Sequence, residues 1–153
     1  MVFLILIAPA SKVRSLTDAT RAWSLRWARM CYDHLAGAVG VCVTGALVAR
    51  GLLEEEDGAY LIEAGGAAEF GRFGIGVDRL ERRTWPLLRP CVDWSERRYH
   101  LAGSLGAALT TTFAERRWIA TREASRIVTV TAADQAGLRD WLGFDLAELR
   151  AAA

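Results

Sequence analysis

Residues 29–40 read RMCYDHLAGAVG, and residues 89–106 read RPCVDWSERRYHLAGSLG. Both stretches follow one pattern: Arg-x-Cys-x-Asp, and then His-Leu-Ala-Gly-x-apolar-Gly. The second copy has six additional residues before its histidine. Both histidines of the chain and two of its three cysteines occupy matching places in the two copies. Because these residue types are scarce in the chain, the coincidence indicates an internal repeat.

The similarity between the two copies continues beyond the motif. Residues 34–53 align with residues 100–119 without a gap. Each copy is interpreted as a helix, a β-hairpin and a second helix, a unit that cannot bury its own apolar face and so packs against its twin. The predicted fold is therefore α+β, with two winged-helix-like repeats packed together as one body. We expect an apolar N-terminal arm over 1–14, a first repeat over 15–78 and a second over 79–153.

Local signals predict the elements of each repeat. A capping-box pattern at residues 15–18 predicts a helix that continues through Tyr32. A nearly all-apolar run at 39–49 predicts a buried helix, and its counterpart is 100–115. The remaining predictions are hairpins at 52–62 and 118–130, helices at 64–73, 132–141 and 145–150, and a connection at 79–89.

The composition limits the class of protein. Hydrophobic residues make up 52% of the 153 residues and charged residues 24%, which is typical of a globular chain. The net charge of +1 predicts no general attraction to nucleic acid or to a membrane surface. Three cysteines are too few for a disulfide framework, so we expect a reducing, cytoplasmic setting. The apolar run at 2–10 is too short to span a bilayer, and no membrane partner is expected.

Four stretches resemble a known family. They are CYDHLAG at 31–37, ARGLL at 49–53, RPCVDWSERR at 89–98 and HLAG at 100–103. Together they resemble the long C-terminal extension that follows the DNA-reading domain in a group of bacterial ArsR-type winged-helix transcriptional regulators. The resemblance covers about residues 26–144. It implies a transcription-regulator module that senses a small effector, mediates dimerisation, or does both.

The resemblance also implies partners. Regulators of this group dimerise, so a homodimer is expected. Nothing in residues 1–25 corresponds to their N-terminal helix-turn-helix, so the chain is either a truncated regulator or a standalone module. DNA would then be bound only indirectly or through a separate domain.

The repeated cysteines and histidines are the candidate chemical site. Cys31 and His34 are three residues apart on a predicted helix and therefore face one side. Cys91 and His100 are their counterparts. If the repeats pack about a pseudo-two-fold axis, the four side chains converge as a tetrahedral Cys2His2 site, with zinc as the candidate ion.

Charged neighbours would support such a site. Asp33 and Asp93 would orient the histidines. A thiol sensor at the same place would need a lowered cysteine pKa, which Arg29 or Arg89 would supply. The alternative is a purely structural interaction module without a cofactor, in which the cysteines are small buried residues and the polar groups hold the repeat interface.

Other residues suggest a ligand contact but no catalysis. Trp94, Arg97 and Arg98 are candidates to contact a phosphate or to stack on a planar ligand. The alternative is that the arginines pair with neighbouring acidic residues. No nucleophile elbow and no phosphate-binding loop is present, so we do not expect an enzyme.

Overall fold

The computed structural model describes residues 16–152, apart from the side chains at 132–135. The predicted arm at 1–14 and Ser15 of the capping-box pattern lie outside these residues. In chain order the elements are α1 (Leu16–Trp27), β1 (Arg29–Cys31), β2 (His34–Ala36), α2 (Gly37–Ala49), β3 (Leu53–Glu56), β4 (Ala59–Ile62), α3 (Gly66–Arg72), α4 (Val77–Glu81), β5 (Arg89–Val92), β6 (Tyr99–Ala102), α5 (Gly103–Glu115), β7 (Ile119–Thr121), β8 (Val128–Val130), α6 (Ala132–Leu142) and α7 (Leu146–Ala152).

The predicted α+β class is confirmed. The strands form antiparallel hairpins of two strands each, separated by helices. The hairpins predicted at 52–62 and 118–130 are β3–β4 and β7–β8, in which Leu53 pairs with Ile62 and Ile119 with Val130. A sequence of hairpin, helix, hairpin and helix occurs twice. We call residues 29–72 the first half and residues 89–142 the second half.

The repeated motif itself forms a hairpin, and here the helix prediction was wrong. Helix α1 ends at Trp27, and Cys31 lies opposite His34 in the β1–β2 pair. In the second half the helix begins at Gly103 rather than at His100, which lies on β6 opposite Cys91. Over three or four residues, apolar spacing does not separate a strand from a helix, so cross-strand pairing decided the outcome.

The predicted connection at 79–89 also contains an element that was missed. Helix α4 (Val77–Glu81) occupies its start, and Val77 and Leu80 are buried. Two apolar residues at a spacing of three are enough to anchor one helical turn on a core. They are too few to produce a periodic signal in the sequence.

The central helices α2 and α5 begin at glycines with a left-handed backbone. Gly37 has φ +81° and Gly103 has φ +80°. A Cβ at Gly37 would lie 2.8 Å from the Arg26 carbonyl oxygen, and one at Gly103 would lie 2.7 Å from that of Leu87. Glycine is therefore required on both conformational and steric grounds. These sharp turns place each hairpin directly against its own helix.

Each central helix also completes the hairpin of the other half. The Leu35 N–H donates to Thr110 Oγ1 at 2.9 Å, and the Leu101 N–H donates to Thr44 Oγ1 at 2.8 Å. Helix α5 thus supplies a hydrogen-bond acceptor to β2, and α2 supplies one to β6. This exchange brings β2 and β6 together in the middle of the molecule.

Within the described residues, no helix is long and apolar enough to cross a membrane.

Candidate metal centre

The repeated cysteines and histidines meet where the two hairpins approach each other. Residues directly opposite in an antiparallel pair project from the same face, so each hairpin presents one cysteine and one histidine together. The four ligand atoms of Cys31, His34, Cys91 and His100 all lie within 4.8 Å of one another. The sequence interpretation placed Cys31 and His34 on a helix, with Cys91 and His100 as their counterparts; the structure brings the four together through strands.

The spacing of these atoms is that of a small coordination site. The Sγ atoms of Cys31 and Cys91 are 3.9 Å apart, and the Nε2 atoms of His34 and His100 are 2.9 Å apart. Tetrahedral zinc with its usual bond lengths would hold two sulfurs about 3.8 Å apart and two nitrogens about 3.3 Å apart. The sulfurs already have this separation, and the nitrogens need to move only slightly.

A carboxylate holds the outer nitrogen of each histidine. His34 Nδ1 lies 3.1 Å from Asp33 Oδ1, and His100 Nδ1 lies 3.0 Å from Asp93 Oδ2. An ionised carboxylate only accepts hydrogen bonds, so the tautomer in which both Nδ1 atoms donate to the aspartates leaves a lone pair on each Nε2. Carboxylate, histidine and metal in this order are the usual arrangement around protein-bound zinc.

In that tautomer the two Nε2 lone pairs face each other across 2.9 Å, and a cation between them would stabilise both. A proton is disfavoured there, because burial and the neighbouring His34 together lower the pKa of His100 to about 4 despite the opposing effect of Asp93. A neutral pair without a metal requires the His34 proton on Nε2. The Nδ1 lone pair of His34 would then face the Asp33 carboxylate. A metal ion satisfies all of these groups at once.

Asp93 is the most strongly held of the supporting residues. It is fully buried, and its carboxylate accepts hydrogen bonds from Arg29 Nη2 at 3.0 Å, from the Gly37 N–H at 2.7 Å and from Ser95 Oγ at 2.7 Å. Burial alone would raise the pKa of Asp93, but the bonds from Ser95, Gly37 and Arg29 outweigh it and hold the pKa well below its usual range. Asp93 is therefore ionised at neutral pH.

Arg29 connects this network to helix α1. Its guanidinium is buried, with Nη1 donating to Ser95 Oγ at 3.0 Å and to the Leu25 carbonyl oxygen at 3.1 Å. Trp94 covers it, with its ring centroid 4.2 Å from Arg29 Cζ. The sequence identified Arg29, Asp93 and Trp94 but gave no sign of Ser95 or of the Gly37 N–H, since these contacts depend on the turn after Asp93.

Cys91 does not have the lowered pKa that a reactive cysteine needs. Burial and the neighbouring Cys31 raise the pKa of Cys91 to about 11, and Arg89 opposes this without reversing it. Arg29, the other cation considered for this effect, is bonded to Asp93 instead. Unaided thiolate chemistry is therefore disfavoured at Cys91, whereas a bound metal would stabilise the thiolate.

Two cavities flank the region. One of about 530 Å³ is lined by Cys31, Cys91, His34, Arg89 and Trp85, and it leads from solvent to the thiols. Arg97 and Arg98 lie elsewhere: they line a second cavity of about 430 Å³. Arg89, Arg97 and Arg98 are exposed, and none of them belongs to the buried network around Asp93.

Comparison with known proteins points to a regulator. Over 128 residues, 84% of its length, the chain is 39% identical to the uncharacterized HTH-type transcriptional regulator YdfF of Bacillus subtilis (strain 168). The chain spans 57% of the length of that relative. No family model matches the chain. No solved structure matches it either.

Proposed function

We propose that this chain is a regulatory module of an HTH-type transcriptional regulator, in which a zinc-type metal centre joins the two halves. The observation that carries the proposal is the convergence of four ligand atoms within 4.8 Å, two from each half. The similarity to a named transcriptional regulator supports the regulatory role. The resemblance of the repeated motifs further supports an ArsR-type regulator that acts as a homodimer.

The ligand set selects the ion. Two thiolates and two imidazoles suit Zn²⁺, and four protein ligands correspond to a closed site that strengthens a fold rather than one that activates water. Binding displaces the proton of Cys91, because its pKa is raised to about 11 in the free protein. Metal affinity is therefore expected to increase as the pH rises.

Metal binding would act on the position of α1. The ion holds His100, His100 contacts Asp93, and Asp93 accepts a hydrogen bond from Arg29. Arg29 also donates to the Leu25 carbonyl oxygen near the end of α1. Occupancy of the site thus favours one position of that helix. In this proposal, DNA is contacted by a separate domain that reads the state of the module.

Metal content and free thiols test the metal centre. We expect about one zinc per chain in the wild-type protein purified with zinc, and Cys42 as the only thiol that reacts before a chelator is added. Cys91→Ser should lose the metal. Cys42→Ser is the matched control, because Cys42 is half-buried on α2 and is not a member of the cluster. Wild-type protein without metal and with all three thiols reactive would reject the proposal.

Cobalt substitution tests the coordination geometry. Co²⁺ in a tetrahedral site with thiolate ligands gives intense visible absorption, which an octahedral surface site does not. We expect this absorption in wild-type and Cys42→Ser proteins and its loss in His100→Ala. Sedimentation with and without zinc would show whether a homodimer forms and whether it needs the metal.

A structural interaction module is the second candidate function. The reciprocal bonds of Thr44 and Thr110 favour it, since they join the halves without any metal. It predicts that Cys31→Ser and Cys91→Ser change stability while no metal is bound by any variant.

A further inference from the structure

The second cavity borders the loop that follows Asp93. Helix α2 forms its floor at Gly45 and Val48, the β3–β4 hairpin contributes Tyr60, and residues 97–99 close the remaining side. Its volume of about 430 Å³ falls within the range of sites for small organic ligands. None of the four candidate metal ligands lines it. We call it the arginine pocket, after Arg97 and Arg98.

Gly45 has no packing reason to be glycine. A Cβ at this position would meet nothing within 4 Å, whereas one at Gly40 would lie 2.5 Å from the Leu35 carbonyl oxygen. Glycine in a helix interior destabilises the helix relative to alanine. Residue 45 therefore departs from the local preference without a compensating contact inside the chain. Because residue 45 has no side chain, the floor of the pocket stays open there.

Arg97 and Arg98 bring a net positive charge to the pocket. No carboxylate lies within ion-pair distance of either arginine in the part of the chain that the structure describes. The predicted pairing of these arginines with neighbouring acids is therefore not observed there. Glu55 is the one acidic residue among the lining residues. An anion entering the pocket would meet two guanidinium groups with free donors.

The backbone holds these arginines in place. Arg97 has φ +54°, a left-handed conformation that is uncommon for a residue with a side chain. It is held there because the Arg97 N–H donates to the Asp93 carbonyl oxygen at 2.9 Å and the Asp93 N–H donates to that of Arg98 at 2.7 Å. These two hydrogen bonds close the loop, and they fix the backbone positions of Arg97 and Arg98.

Two tyrosines provide flat walls. Tyr60 is buried and Tyr99 is 43% exposed. Burial, reinforced by Glu55, raises the pKa of Tyr60 to about 12, so its hydroxyl keeps its proton and remains a donor at neutral pH. Val41 and Val48 add apolar surface on α2. The pocket therefore combines aromatic and apolar walls with cationic groups at one side.

From this combination we propose that the arginine pocket binds a small organic anion with a planar apolar body, such as an aromatic carboxylate. The acidic group lies against Arg97 and Arg98, and the ring lies over Gly45 and Val48 between the tyrosines. This site shares no lining residue with the four candidate metal ligands, and, resting on the function proposed above, it would be the effector site of the module.

Naphthalene-2-carboxylate and naphthalene-2-carboxamide form a matched pair of probes that differ in charge. Binding to the metal-loaded full chain is measured by isothermal titration calorimetry and by ligand-observed NMR. We expect the carboxylate to bind at least about tenfold more tightly than the amide, as the loss of a charge-assisted contact implies. Equal binding of the two probes, or no binding of either by both methods at about 1 mM, would overturn the proposal.

Substitutions then locate the site. Gly45→Leu fills the floor of the pocket and should abolish binding, and Arg98→Gln should weaken it about tenfold. Gly71→Leu is the matched control. Gly71 is also a helix glycine at which an added Cβ would meet no atom of the described residues within 4 Å, but it lies outside the pocket. Arg122→Gln controls for charge. Gly45→Ala is the milder variant should Gly45→Leu not fold, and it should weaken binding while raising the melting temperature. Wild-type affinity in both Gly45 variants would overturn the proposal.

Discussion

The two halves of the metal centre are built from the same motif but are held very differently. Asp93 is fully buried, bonded to Arg29 and to the backbone of α2, whereas the Asp33 side chain is 40% exposed and contacts His34. The six additional residues of the second copy make the difference. They fold Ser95 and Glu96 over the carboxylate of Asp93, while the first copy has only a two-residue turn. The second half is thus preorganised, and the first half is free to adjust to an ion.

Replacing each aspartate by asparagine should give the largest contrast. Asp93→Asn leaves the buried Arg29 guanidinium without its ion pair, and we expect it to lower the free energy of unfolding by about 3–5 kcal/mol. Asp33→Asn should cost less than about 1 kcal/mol, since the Asp33 side chain is 40% exposed and solvent screens its contact with His34. Urea unfolding of the metal-free proteins measures both. Similar losses in the two variants would contradict the asymmetry.

The pH dependence of the free energy of unfolding, measured on the metal-free protein, tests the burial of His100 in the second half. The folded-state pKa of His100 is about 4, below the ordinary value of 6.5, so between these values the unfolded state binds more protons. Stability should therefore be intact above pH 6.5 and fall by about 3 kcal/mol as the pH decreases to 4. Denaturant unfolding across this range measures the slope, and His100→Gln should flatten it. A constant free energy of unfolding from pH 6.5 to 4.5 would show that His100 is not buried as a neutral group.

Substitution of the two threonines that join the halves should lower the free energy of unfolding by equal amounts. Thr44→Val and Thr110→Val each leave a buried backbone N–H without its acceptor, at a cost of about 1–3 kcal/mol. Because the two contacts are nearly identical, the losses should agree closely. Thr112→Val is the control, since the hydroxyl of Thr112 bonds only within its own helix. Clearly unequal losses would show that the halves do not support each other reciprocally.

In the first half, substitution of Asp33 should change the affinity for zinc more than it changes the stability of the protein. Asp33→Asn removes the charged acceptor of His34 Nδ1 and should weaken zinc binding about 10- to 100-fold. A competition titration against a chelating dye measures the affinity. An unchanged affinity would indicate that Asp33 does not orient His34 when the ion is bound.

Part of this site was predictable from the sequence, and the limits of the prediction are instructive. The matched positions of the cysteines and histidines predicted that Cys31, His34, Cys91 and His100 converge if the repeats pack about a pseudo-two-fold axis, although the helix assumed for Cys31 and His34 was wrong. Three- and four-residue strands carry too short a pattern to be told from a helix. Arg97 and Arg98 were named from the sequence as possible ligand contacts, but the rest of the arginine pocket was not predictable, because Gly45 and Tyr60 are brought to Arg98 only by tertiary packing.

The sequence by itself determined the α+β class, the buried central helices and the identity of the paired cysteines and histidines. These follow from composition, apolar runs and the recurrence of scarce residues, which are all local properties of the chain. Only the tertiary structure decided that Asp93 is fully buried while Asp33 is partly exposed, and that Gly45 faces a cavity. Burial depends on which segments cover a residue: the six additional residues of the second copy and Arg29 enclose Asp93, and nothing equivalent in the described part of the chain encloses Asp33.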